Sequence, residues 1–226
     1  MFPLKDDNPI GGFPVINLLI IVLNIFFFAL SLQNFDYIIK NFGLVPSHFD
    51  FLKIFSSMFL HGGLLHIVGN MWFLWIFGDN VESVFGKIGY FFFYIICGVF
   101  AALFHTFFNP SSVIPVVGAS GAVSGVMGAY LVLFPWARVR TLIMFFFFLR
   151  VISVPAYFYI FIWFFWQIAG LGVPSNVAYI AHIGGFLVGV FFGLLKRASV
   201  PKRRRKKSIR FPFVLYLFFL FLALPR

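Results

Sequence analysis

Charge is scarce in this chain, and negative charge is scarcer still. Six aspartates and glutamates stand against seventeen lysines and arginines in 226 residues, and charged residues make up 10% of the chain. Soluble domains carry about a quarter. Hydrophobic residues reach 62% and mean hydropathy is +1.02, which excludes a soluble globular domain and implies a membrane protein. A chain of this length holds roughly six or seven spans of about 20 residues with short loops, so one helical bundle with no second domain is expected.

Cysteine is nearly absent as well. The single Cys97 lies in an apolar stretch, so no intramolecular disulfide can form, and a packing role is expected for it. The scarcity of acids also removes most metal chemistry. No H-E-x-x-H helix is present, and neither a metal nor a cofactor is expected.

What is abundant is long apolar runs. They fall at about 13–31, 64–78, 88–108, 121–136, 152–169 and 178–195, each bounded by charge or by Gly, Pro and Asn. They predict an all-α, polytopic six-helix bundle over residues 1–195. The first run is too long for the h-region of a signal peptide, about 7–15 residues, and Asp6 and Asp7 suit an n-region poorly, so it reads as a span. Residues 141–149 (TLIMFFFFL) read as an interfacial connection because Arg150 and Pro155 follow closely. Residues 196–226 hold a basic segment and a last apolar stretch, 211–225. Some 14 residues of helix reach only about 21 Å, so a short seventh helix is expected at most.

Orientation follows from the basic residues, which accumulate on the cytoplasmic side. With the N-terminus inside, Lys5, Lys87, Arg138, Arg140, Arg150 and the 196–210 cluster fall inside, against Lys40 and Lys53 outside. Much of the formal charge of +11 comes from that cluster, which is expected to anchor at anionic lipid. No motif supports nucleic acid as a partner.

Polar side chains inside a span are costly and mark function by default. They are His66 and Asn70 in the second run, His105 in the third, Ser120 and Ser124 at the start of the fourth, and His182 in the sixth. His66 stands 13 residues before Asp79, Ser120 stands 18 before Arg138, and His182 stands 14 before Lys196. At about 1.5 Å per residue these are depths of roughly 20, 27 and 21 Å, a common level just below the outer face. Gly121 and Gly125, like Gly185 and Gly189, have the small-xxx-small spacing that lets two helices approach closely in lipid. A serine hydroxyl becomes a nucleophile when a neutral histidine accepts its proton. His66 and Asn70, at i and i+4, can donate to a developing oxyanion, as can the Ser120 backbone N–H. With no acid at that depth, a dyad rather than a triad is expected, the histidine held by packing or by a further hydrogen bond, with Ser124 a candidate. His105 reads as structural and His61 as a helix-end or supporting residue.

At H61-G-G-L-L-H-I-V-G-N70, G118-A-S-G121 and A181-H-I-G-G-F-L-V-G189 the sequence resembles the rhomboid family of intramembrane serine proteases. The resemblance implies Ser120 as nucleophile, His182 as general base and then acid, and His66 with Asn70 on the oxyanion side. It implies cleavage of other proteins' transmembrane segments in a membrane such as the bacterial inner membrane, with the site opening to the outer face. It also implies that the connection 32–61 is partly embedded, that the fifth helix lies where substrate enters, that 170–176 caps the site, and that Glu82 and Gly86 are structural. Leu52-Lys53 stands where many members carry Trp-Arg, and Ser124 where some carry a tyrosine that stacks on the histidine. A silent relative that binds membrane clients would lack the nucleophile or the base, and both residues are present here.

Overall fold

The computed structural model describes residues 2–8, 12–145 and 148–199. Among the described residues are eight α-helices and a small antiparallel sheet. Six are long: α1 (Val15–Ser31), α4 (Leu64–Phe85), α5 (Lys87–Phe108), α6 (Ser120–Leu133), α7 (Ala156–Ala169) and α8 (Tyr179–Ser199). By length and composition α5 and the Tyr179–Ala198 part of α8 are long and apolar enough to cross a membrane, and α1, α6 and α7 are shorter apolar helices. Residues 200–226, including the 211–225 stretch, lie outside the described residues.

Helix α6 is the central post. Every residue from Gly121 to Leu133 is buried, and α4, α5, α7 and α8 pack around it. The surrounding helices turn large apolar side chains outward, among them Val22, Ile25 and Phe26 on α1 and Phe161, Phe165 and Trp166 on α7. An apolar surface outside an apolar core is how a helix bundle meets lipid.

Three features depart from the sequence expectation. Helix α4 continues past the run 64–78 to Phe85, because Asp79 and Glu82 are absorbed by partners inside the protein. The 3%-exposed Glu82 carboxylate accepts from the backbone N–H groups of Ile16 (3.2 Å) and Asn17 (2.8 Å), placing negative charge on the unpaired donors at the start of α1. Gly86, at φ +76°, then reverses the chain into α5.

The second departure is a sheet where an all-α bundle was expected. Strands β2 (Arg138–Phe145) and β3 (Phe148–Pro155) form a hairpin over the stretch read as an interfacial connection. Val139 and Thr141 are buried while Arg138 and Arg140 alternate outward, the period of a half-buried strand. Strand β1 (Phe2–Asp6) pairs with β2, giving the order β1-β2-β3. It is fastened to the helices by Trp72, whose indole N–H donates to the Pro3 carbonyl (2.6 Å), and by Asp6, which accepts from Tyr130 (2.5 Å) and Asn80 (2.8 Å). The fifth predicted helix accordingly begins at Ala156 rather than residue 152.

The third is the connection 32–61, which contains α2 (Phe35–Phe42), a 3₁₀ turn (Pro46–His48) and α3 (Phe51–Ser57). Asp50 caps α3 by accepting the Leu52 N–H (2.9 Å). Two backbone bonds between Leu44 and Val116 and one from the Gly118 N–H to the Ser57 carbonyl (2.9 Å) tie this segment to the loop before α6. These bonds hold the segment in a chain that carries Leu52-Lys53 at its third helix.

Candidate active site

Ser120 is the first residue of α6, so its backbone N–H lies among the donors that a helix leaves unpaired. The turn before it depends on Gly118. Its φ of +128° disfavours side chains, and a Cβ there would stand 2.7 Å from both Cε1 and Nε2 of His66 and 3.5 Å from Ser120 Oγ. The missing side chain lets the His66 ring close over Gly118, so that His66 Nε2 and Ser120 Oγ lie 2.7 and 3.5 Å from one and the same point.

His66 is oriented by the loop before α4. The Gly62 N–H donates to its Nδ1 (3.3 Å), so the ring proton is on Nε2, the nitrogen on the Gly118 side. Asn70, one turn further on α4, is buried, and its Nδ2 has no hydrogen-bond partner among the described residues. A buried amide donor without a partner is suited to an acceptor that arrives with a ligand. His61 is fully buried with its ring edge-on to those of His66 (5.1 Å between centroids) and Phe28 (6.4 Å). Burial pushes it down to about 3, so it is a neutral wedge behind His66.

His182 reaches this neighbourhood through the seam between α6 and α8. A Cβ on Gly185 or Gly189 would overlap the carbonyl oxygens of Gly121 and Gly125, and one on Gly193 would stand 3.0 Å from the Ala129 Cα. The ascending register makes α6 and α8 parallel neighbours in backbone contact, the close approach that small residues permit. The Ala181 carbonyl comes to 3.9 Å from where a Cβ of Gly121 would be, so His182 enters beside the start of α6. Among the described residues no hydrogen bond joins His182 to the Ser120 hydroxyl.

Ser124 does not orient the histidine. Its hydroxyl donates to the Ser120 carbonyl one turn back (2.7 Å), the usual outlet for a serine inside a helix. The histidine's partner is Gln167 on α7, whose Oε1 lies 2.8 Å from His182 Nδ1, while the Trp163 ring lies 6.3 Å from the imidazole at 32°. The sequence reading passed over Gln167. A signal existed, since it is a lone amide in the otherwise apolar and aromatic helix AYFYIFIWFFWQIA. His105 is part-buried on α5 with its Nδ1 unpartnered among the described residues.

Fold and site together define a helical-bundle integral membrane protein with polar side chains gathered between its helices. The Rhomboid domain model matches residues 48–199, and the chain belongs to the rhomboid family. It is 30% identical to Rhomboid protein 1, mitochondrial, of Saccharomyces cerevisiae over 163 residues, 69% of this chain and 45% of that protein. It is 32% identical to RHOMBOID-like protein 6, mitochondrial, of Arabidopsis thaliana over 146 residues, 63% and 43% of the two chains. With Rhomboid protease GluP of Bacillus subtilis it shares 30% identity over 156 residues, 67% and 28%. The chain spans less than half the length of each of these relatives.

Proposed function

We propose that this protein is an intramembrane serine endopeptidase that cleaves transmembrane segments of other membrane proteins through an acyl-enzyme. The observation that carries the reading is that the Nε2–H of His66 and the Ser120 hydroxyl converge at Gly118, 2.7 and 3.5 Å from the position a Cβ would take there. A donor this close to the nucleophile suits a carbonyl attacked by Ser120 whose oxygen moves toward His66.

In the proposed reaction Ser120 Oγ attacks the carbonyl carbon of an unwound substrate peptide, and His182 Nε2 takes the hydroxyl proton. The oxyanion receives hydrogen bonds from His66 Nε2–H, Asn70 Nδ2–H and the Ser120 backbone N–H. The C–N bond then breaks, and His182 passes its proton to the departing amine. Water activated by the same histidine hydrolyses the ester and regenerates Ser120. Unwinding is required because a helical peptide bond is shielded and its carbonyl is committed to an intrahelical bond.

The distribution of Lys and Arg supports an inside N-terminus and a site opening outward, with the basic run 196–210 at anionic lipid. Two of these relatives are mitochondrial, from a yeast and a plant, and one is bacterial, so the assignment is to a side of the membrane rather than to an organelle. Labelling by a fluorophosphonate probe tests the reading directly. The wild-type protein should be labelled and should cut a reporter transmembrane substrate, and Ser120→Ala should do neither. Cleavage by Ser120→Ala would refute it, and labelling that is absent in the folded wild type would favour a silent client-binding protein.

A further inference from the structure

We infer that Gln167 is a positioning residue that holds His182 in the Nδ1–H tautomer, so that the Nε2 lone pair is the one presented toward Ser120. The inference rests on the proposed Ser120–His182 dyad and adds a third member to it, an uncharged one on a different helix.

The argument begins with the amide's own orientation. Gln167 Nε2 donates to the Trp163 carbonyl one turn back on α7 (3.0 Å). Turning the amide over would set its oxygen against that carbonyl oxygen, two acceptors at hydrogen-bond distance, so this orientation is the only one that pairs both ends. Oε1 therefore faces the imidazole. An amide oxygen only accepts, and it stands 2.8 Å from His182 Nδ1, so Nδ1 carries the proton. A neutral imidazole has one N–H, and the other nitrogen is left as a base.

Burial makes this pairing consequential. Gln167 is 7% exposed, so water does not readily replace the imidazole as its partner, and a lost bond would leave a buried acceptor unsatisfied. Trp163 and Gln167, at i and i+4, occupy one face of α7. The first packs near the ring and the second fixes its nitrogen, which together set both the tilt and the tautomer of His182.

The chain offers no carboxylate for this duty. Asp6 is in β1, Asp7 pairs with Arg140 of β2, Asp79 and Glu82 are on the last turns of α4, and Asp36 and Asp50 are at the starts of α2 and α3. A neutral amide selects the tautomer without adding a negative charge to the imidazolium that forms during catalysis. That distinction gives the inference a signature that mere helix packing would not produce.

The test uses the full-length protein in detergent or vesicles, as wild type, Gln167→Leu and Gln167→Glu. Imidazole ¹⁵N NMR should show the Nδ1–H tautomer of His182 in the wild type and a mixture in Gln167→Leu. Fluorophosphonate acylation of Ser120 and reporter kcat should fall about 10–100-fold in Gln167→Leu with KM within about twofold, less than the loss seen when a triad carboxylate is replaced. Gln167→Glu should move the acidic limb of the pH–rate profile to higher pH, because a carboxylate favours the protonated ring. An Nε2–H tautomer in the wild type, or acylation by Gln167→Leu within about twofold of wild type, overturns the inference. If the wild type itself is not acylated, the dyad reading fails, whereas the tautomer result still reports on Gln167 alone. Should Gln167→Leu not fold, the wild-type tautomer and the Gln167→Glu profile decide the matter, and an unshifted profile counts against it.

Discussion

Gly185 lies with its backbone against the carbonyl oxygen of Gly121, so that a Cβ on Gly185 would overlap that atom. Gly121 follows Ser120 by one residue, and Gly185 follows His182 by three. The separation of α6 and α8, and with it the reach from His182 to Ser120, depends on the missing side chains of this seam, of which Gly185 is the one nearest the two residues.

Gly185→Ala should therefore act on both stability and activity. The obstructing atom is backbone and cannot rotate away, and overpacking of this kind costs about 1–3 kcal/mol. We expect a lowered thermal transition in detergent and a fall in fluorophosphonate labelling that exceeds the loss of folded protein. Equal losses in the two measurements would mean that the seam matters for folding alone.

Asn70→Ala removes a donor whose Nδ2 is buried and unpartnered among the described residues. Because that donor is proposed to bond only the oxyanion, kcat should fall about 10²–10³-fold while KM changes little. A variant that raised KM at constant kcat would place Asn70 in substrate binding instead.

Docking of β1 should weaken as pH rises. Burial raises Asp6 from the ordinary carboxylate value of 3.8 to about 6, with Asp79 and Asp7 adding repulsion and the Tyr130 bond opposing the rise. Between those two values the docked state holds the proton that the released state has lost. Its stability therefore declines from about pH 4 to about pH 6 and stays at the lower level above. Hydrogen exchange of the Phe2–Asp6 amides should be slower at pH 5 than at pH 7.5 after correction for intrinsic rates. Asp6→Asn should flatten the difference, and a pH dependence that survives it would assign the effect elsewhere.

Much of the helical framework was legible in the sequence, because an apolar run in lipid has few alternatives to a helix. The limits of that legibility have physical causes. The run 64–78 stops at Asp79 only if charge must meet water, whereas Glu82 finds its partners at the start of α1, Asn17 among them at sixty-five residues' remove. The segment TLIMFFFFL is almost wholly apolar, so its own pattern does not separate strand from helix, and of the partners of β2 one, β3, follows in the chain while the other, β1, comes from its other end.

By itself the sequence determined the chemistry available to this protein. It led to the expectation of His66, Ser120 and His182 at one membrane depth, with Asn70 one turn further along, because polar groups in apolar spans stand out and the rise of a helix converts spacing into height. Which side chains meet was decided by the tertiary structure alone. Ser124 satisfies its hydroxyl on its own helix, and Gln167, reaching from α7, meets the histidine instead. A hydrogen bond across two helices depends on their rotation and separation, which are products of packing between distant segments, and no local pattern of residues encodes them.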